Sequence, residues 1–252
     1  MSLSKLTAVA LTALFTLSGC IPKPEVPPVV DLQTQQILAG MNNLEGRELT
    51  FQPDESASYY SRIVEQNVTE FMFDPDLGTE IVFGVNDPFP IDLGAALARF
   101  YGEDYSSVFV SSNGWVSFGE AGNDPADLTT HFLVPQISAL PVDGTDVDAR
   151  VSFQQTAEAL VVTFENAPFD AISKQEAVTN SFQIVVNIPD VPTSVPEQII
   201  ISYLTVDTMA SGIVGLSNGQ TGNLTGDALT RFLTDFEDSD LEETNLNTPP
   251  VS

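Results

Sequence analysis

Residues 105–119, YSSVFVSSNGWVSFG, constrain this chain more than any other stretch. Two β-prone runs flank Asn113-Gly114, and a two-residue Asn-Gly loop suits a tight hairpin because both residues tolerate positive φ. Such a loop predicts Ser112 opposite Trp115, Ser111 opposite Val116, Val110 opposite Ser117 and Phe109 opposite Phe118. Phe109, Val116 and Phe118 then share one face, and Val108, Val110 and Trp115 share the other. With apolar residues on both faces, the ribbon belongs inside a packed sheet. Trp115 is expected in packing, beside Val110, rather than as an exposed platform for sugars, because tryptophan is highly buried on average.

The same rhythm continues on both sides. Strand-like runs cover Leu49 and Phe51, Tyr59 to Val68, Thr69 to Phe73, Glu80 to Val85, Ala149 to Gln154, Glu158 to Asn166, Asn180 to Ile188, Gln198 to Val206 and Gly212 to Leu216. Turn chemistry separates them at residues 74–78, 86–88, 141–148 and 189–197. Ile91 to Phe100 fits helical and alternating spacing equally. Phe132 to Leu140 contains Pro135, which argues against a place in mid-sheet. Asp31 to Met41 reads as a short helix, with Asp31 as N-cap and Gly40 near its end. Many short strands, few helices and no internal repeat predict an all-β fold, an antiparallel β-sandwich in one domain over residues 46–234.

A chain of 252 residues with 42% hydrophobic content is able to bury a real core. Its net charge of −27 excludes nucleic acid as a partner, since little here neutralises phosphates. The carboxylates are scattered along the chain, which fits solubility better than one dedicated cation surface.

The beginning of the chain carries the location signal. Lys5 precedes a short apolar run from Leu6 to Leu17, too short for a stable membrane span. Leu17-Ser18-Gly19-Cys20 resembles a bacterial lipobox, which implies cleavage before Cys20 and lipidation of its thiol. Several acyl chains give lasting anchorage where one does not. Residues 1–19 are thus expected as a lipoprotein signal. Residues 20–45 form the lipidated cysteine, a proline-rich tether (IPKPEVPPVV) and the short helix. Ile21 stands where an aspartate would signal inner-membrane retention, so the resemblance implies the outer membrane or cell surface. Residues 235–252 are acidic and expected to be a flexible tail. Cys20 is the sole cysteine, so no internal disulfide forms.

Several pieces, in order, resemble a module of secreted bacterial proteins found in surface lipoproteins and beside extracellular proteases. Phe100-Tyr101-Gly102 matches its aromatic-Tyr-Gly, and residues 105–119 match its Ser-Asn-Gly hairpin. His131 to Leu140, Val161 to Pro168, Asn180 to Gln183, Ile201 to Tyr203 and Gly212 to Ser217 follow in the expected sequence. The pattern spans residues 49–241 and is similar to nidogen-like extracellular domains. It implies a sandwich displayed outside the cell and no known reaction. Where the module continues with an aspartate pair, this chain has Pro141-Val142-Asp143-Gly144.

Three readings of function follow. The first is a non-enzymatic, lipid-anchored surface protein that contacts proteins or glycans and needs no cofactor. The second is a calcium-dependent carbohydrate-binding module, with Asp143, Asp146 and Asp148 offering oxygens, although their spacing departs from an EF-hand loop. Asn123, Asp124 and Asp127 are a weaker version of the same idea. The third is a hydrolase built on His131, the sole histidine, without any Gly-x-Ser-x-Gly elbow. A lone histidine opening an apolar segment is more simply a packed or capping residue. Zinc is excluded by the shortage of nitrogen and sulfur ligands.

Overall fold

A computed structural model describes residues 35–37, 44–53, 60–66, 68–84, 88–122, 128–169, 179–188, 198–207 and 212–219. Cys20, the proline-rich tether, the acidic tail and the turn at 189–197 lie outside them. In chain order the elements are β1 (Gln35–Ile37), β2 (Arg47–Pro53), β3 (Tyr60–Gln66), β4 (Thr79–Glu80), β5 (Phe89–Asp92), β6 (Ala98–Phe100), β7 (Glu103–Tyr105), β8 (Ser107–Val110) and β9 (Trp115–Phe118). There follow α1 (Leu128–His131), β10 (Pro135–Ser138), β11 (Arg150–Gln155), β12 (Ala159–Ala167), β13 (Asn180–Asn187), β14 (Ile199–Thr205) and β15 (Gly212–Asn218).

The fold is all-β and antiparallel, as expected. A six-stranded sheet runs β1-β15-β10-β9-β8-β5, and a seven-stranded sheet runs β3-β2-β14-β13-β12-β11-β4. One continuous core joins them. Val108, Val110, Val116, Phe118, Ile137, Val214 and Leu216 face inward from the first sheet, and Leu49, Phe51, Leu160, Val162, Phe164, Phe182, Ile184, Val186, Ile199, Ile201 and Tyr203 from the second. Strict alternation in β12, β13 and β14 explains this, since side chains two apart share a face. Phe164 and Phe182 stack at 4.7 Å between centroids, and Phe100 stacks on Phe118 at 4.2 Å. Tyr203 crosses the core and donates a 2.6 Å hydrogen bond to the Ala139 carbonyl, tying one sheet to the other.

The hairpin register differs from expectation by one residue. Val110 pairs with Val116, Phe109 with Ser117 and Val108 with Phe118. Ser111 donates its amide to Trp115 O and Gly114 donates to Ser111 O, so the loop is Ser112-Asn113-Gly114, with Gly114 at φ 87. This is the three-residue arrangement with a left-handed third position. Hydrophobic sorting decides it. A two-residue loop would separate Val108 and Val110 from Val116 and Phe118, whereas the longer loop turns all four inward, where they are buried. Phe109 moves to the outer face and is half-buried, and Trp115 parts from Val110. The paired positive φ values expected at Asn113-Gly114 occur instead at Tyr101 (φ 50) and Gly102 (φ 81), between β6 and β7.

Further expectations change as well. Gln35–Ile37 is a strand paired with β15, not part of a helix, so the folded body begins before residue 46. Pairing with the backbone edge of β15 outweighs the helix preference of glutamine and leucine. Pro135 does stand in a central strand, but as its first residue, where a missing N–H interrupts little. Ile91 to Phe100 is neither helix nor one strand: β5 ends at Asp92, and Gly94 (φ 69), whose amide is held by Asp92 Oδ1, turns the chain toward β6. Residues 69–73 form no strand, and of the described residues 80–84 Glu80 ends β4 and Gly84 makes an isolated bridge.

Candidate functional site

Two residues weighed in the sequence, Trp115 and His131, lie on the outer side of the six-stranded sheet. Trp115 and Ser117 of β9, and Gln136 and Ser138 of β10, all point outward there and all are buried. The segment that follows β9 covers them. Ser117 Oγ donates to Glu120 O at 2.6 Å and accepts the Gly122 amide at 2.9 Å, which clamps this segment down. At Gly122 a β-carbon would stand 2.7 Å from Gln136 Oε1 and 3.0 Å from Ser117 Cβ and Trp115 Cζ3, so a larger residue would have to displace these side chains. The chain then returns through α1, which delivers His131 to the same layer.

His131 Nδ1 lies 2.9 Å from Ser138 Oγ and 3.4 Å from Gln136 Nε2. The pair has the look of a serine–histidine dyad, but His131 is 0% exposed and Ser138 1%. Burial holds the imidazole pKa down at about 3, against a smaller opposing effect from a hydrogen bond with the Leu216 backbone. Both side chains are thus closed off from solvent, and burial disfavours the protonated imidazole. The arrangement is a hydrogen-bonded packing layer. Within it Trp115 Nε1 and Gln136 Oε1 are buried without a hydrogen-bond partner among the described residues.

The acidic loop after β10 is organised around itself. Asp143 Oδ1 accepts from the Thr145 amide and hydroxyl at 3.0 and 2.6 Å, and Asp146 Oδ1 accepts the Asp148 amide at 3.0 Å. These are local turns of the kind aspartate favours. Gly144 donates to Ser112 O at the hairpin tip, and Asp143 donates its amide to Pro168 O. Through Gly144 this loop braces the hairpin, while the aspartates hold the loop's own turns. Among the described residues, no group of three or more His, Cys, Asp or Glu gathers where it would hold a metal ion.

A third location was not visible in the sequence. On the outer face of the seven-stranded sheet an open groove of about 560 Å³ is lined by Phe71, Glu165, Asn166, Thr179, Ser181 and Thr205, among others. Its cause is local. The β12–β13 ladder slips between Phe164 and Ala167, and the β13–β14 ladder slips between Ser181 and Phe182. Strands on both sides of Ser181 thus bulge, which leaves it at the floor of a hollow. Asn166 takes up the first bulge with a left-handed backbone, φ 52, which asparagine tolerates better than most residues. Ser181 Oγ accepts the Asn166 amide at 3.1 Å, and Thr205 Oγ1 donates to Thr179 O. Arg150 donates to Glu165 Oε2 at 3.1 Å and fixes that carboxylate at the rim. Phe71 belongs to the segment leading to Phe73, whose backbone N–H and C=O are both bonded by the Gln183 side chain.

Comparison of the chain with known protein families, characterised proteins and solved structures gave no match.

Proposed function

We propose that this chain is a lipid-anchored bacterial surface protein that displays its β-sandwich for contact with proteins or glycans and catalyses no reaction. The observation that carries this reading is Leu17-Ser18-Gly19-Cys20 behind Lys5 and a short apolar run. A thioether lipid at Cys20 anchors the chain, residues 21–30 hold the body off the bilayer, and the sandwich presents its outer faces and loops. The nidogen-like order of motifs supports display outside the cell. The sealed His131 layer supports a binding role over a hydrolytic one, because it offers no accessible nucleophile. Globomycin, which blocks lipoprotein signal cleavage, tests the anchor in cells. Accumulation of the uncleaved precursor is expected; unchanged processing would remove the basis of the reading.

A further inference from the structure

We propose that the groove over Ser181 is a binding site for a neutral carbohydrate. The proposal deepens the surface-display reading by giving the displayed body a ligand, but its geometry stands apart from the anchor. Its first support is construction. Two bulges in neighbouring ladders open one hollow, and bulges commonly re-aim side chains at sites of function. The volume of about 560 Å³ falls in the range of small-ligand sites.

Its second support is the chemistry of the lining. Phe71 supplies a half-buried ring, Glu165 a carboxylate, Asn166 an exposed amide, and Thr179 and Thr205 hydroxyls. Polyols are recognised by that mixture: alternating donors and acceptors for hydroxyls, and an apolar ring for the C–H face of a pyranose. No lysine or arginine is among the described lining residues, Glu165 is already paired with Arg150, and the net charge of −27 on the chain disfavours sialylated, sulfated or phosphorylated ligands. A purely apolar ligand would strip water from the exposed Asn166 amide without replacing its hydrogen bonds. Glu165 is also held in place by Arg150, so little ordering is needed when a hydroxyl arrives.

The test uses the full chain carrying Cys20→Ser, so that it is handled without lipid, on an array of neutral, sialylated and sulfated glycans in EDTA. Retention of neutral glycans is expected. Phe71→Ala should weaken binding by about tenfold, from loss of ring stacking. Asn166→Gly should weaken it similarly while keeping the fold, because glycine accepts the left-handed backbone at that position; an unchanged unfolding midpoint verifies this. No neutral glycan bound, binding indifferent to both substitutions, or binding that appears only with calcium would each overturn the proposal, the last by moving recognition to the acidic loop. Since Cys20 is absent from this protein, a failure here leaves the globomycin result untouched, and the reverse also holds.

Discussion

At the residue scale, a few positions carry disproportionate weight. Gly114 combines φ 87 with a site where a β-carbon would strike the Leu140 carbonyl. Gly114→Ala should therefore destabilise the protein by about 2–4 kcal/mol, from left-handed strain plus overpacking, measured by urea unfolding. Tyr203→Phe keeps the ring but strands the buried Ala139 carbonyl, with an expected loss of about 1–3 kcal/mol. His131 gives a pH prediction. Its pKa is lowered in the folded protein, to about 3, so the unfolded state binds the extra proton. Its contribution is fully present above about pH 6.5 and is lost as pH falls from there toward 3, by at most about 1.4 kcal/mol per unit. As the sole histidine, it has a ring NMR signal that needs no assignment; that signal should not titrate near pH 6.5.

At the element scale, the segment from Val68 to Leu77 is held without being a strand. The Gln183 side chain bonds both the amide and the carbonyl of Phe73, at 3.1 and 3.0 Å, and Phe73 packs over Ala159, Val161, Val185 and Ile200. Gln183→Met should release this segment, seen as faster amide exchange at Phe73 with the β13 core amides still protected. The sequence showed most of this layer and missed its cover. Strands β11 to β15 were legible because alternation and turn chemistry agree over many residues. Residues 69–84 were not, because tertiary bonds to Gln183 and β11 decide their conformation, and residues 91–100 were not, because a local Asp92–Gly94 turn breaks a run that fits both periodicities. The hairpin was legible as a hairpin, but its loop length was not, since four core side chains rather than the Asn-Gly pair settled it. The groove was invisible for a related reason. Phe71, Glu165 and Thr205 are far apart in sequence, and the only local trace was an asparagine at a bulge.

At the scale of the whole molecule, the recurring motifs of the chain turn out to build the interior. The hairpin tip bonds to Ala139 and Gly144, Ala139 accepts from Tyr203, Phe182 lies 6.0 Å from Tyr203, and Phe100 stacks on the hairpin through Phe118. The inward-facing residues of that nidogen-like pattern therefore specify much of the sandwich core, while its members Glu165, Asn166 and Ser181 line the groove proposed as a binding site. The charge acts at this scale as well. With −27 on one chain, self-repulsion opposes compaction, and salt relieves it. The unfolding temperature should rise between low and moderate sodium chloride; a fall would mean that attractive pairs such as Arg99–Asp104 and Arg150–Asp76 outweigh repulsion.

Membrane display through the cysteine is the claim on which the functional account turns. Mass spectrometry of the amino-terminal peptide from the cell-envelope fraction reads it directly. The account predicts a mature chain that starts at Cys20 and carries a diacylglyceryl thioether, with the modification absent from Cys20→Ser. An unmodified Cys20, or a mature chain that starts at another residue, would contradict it.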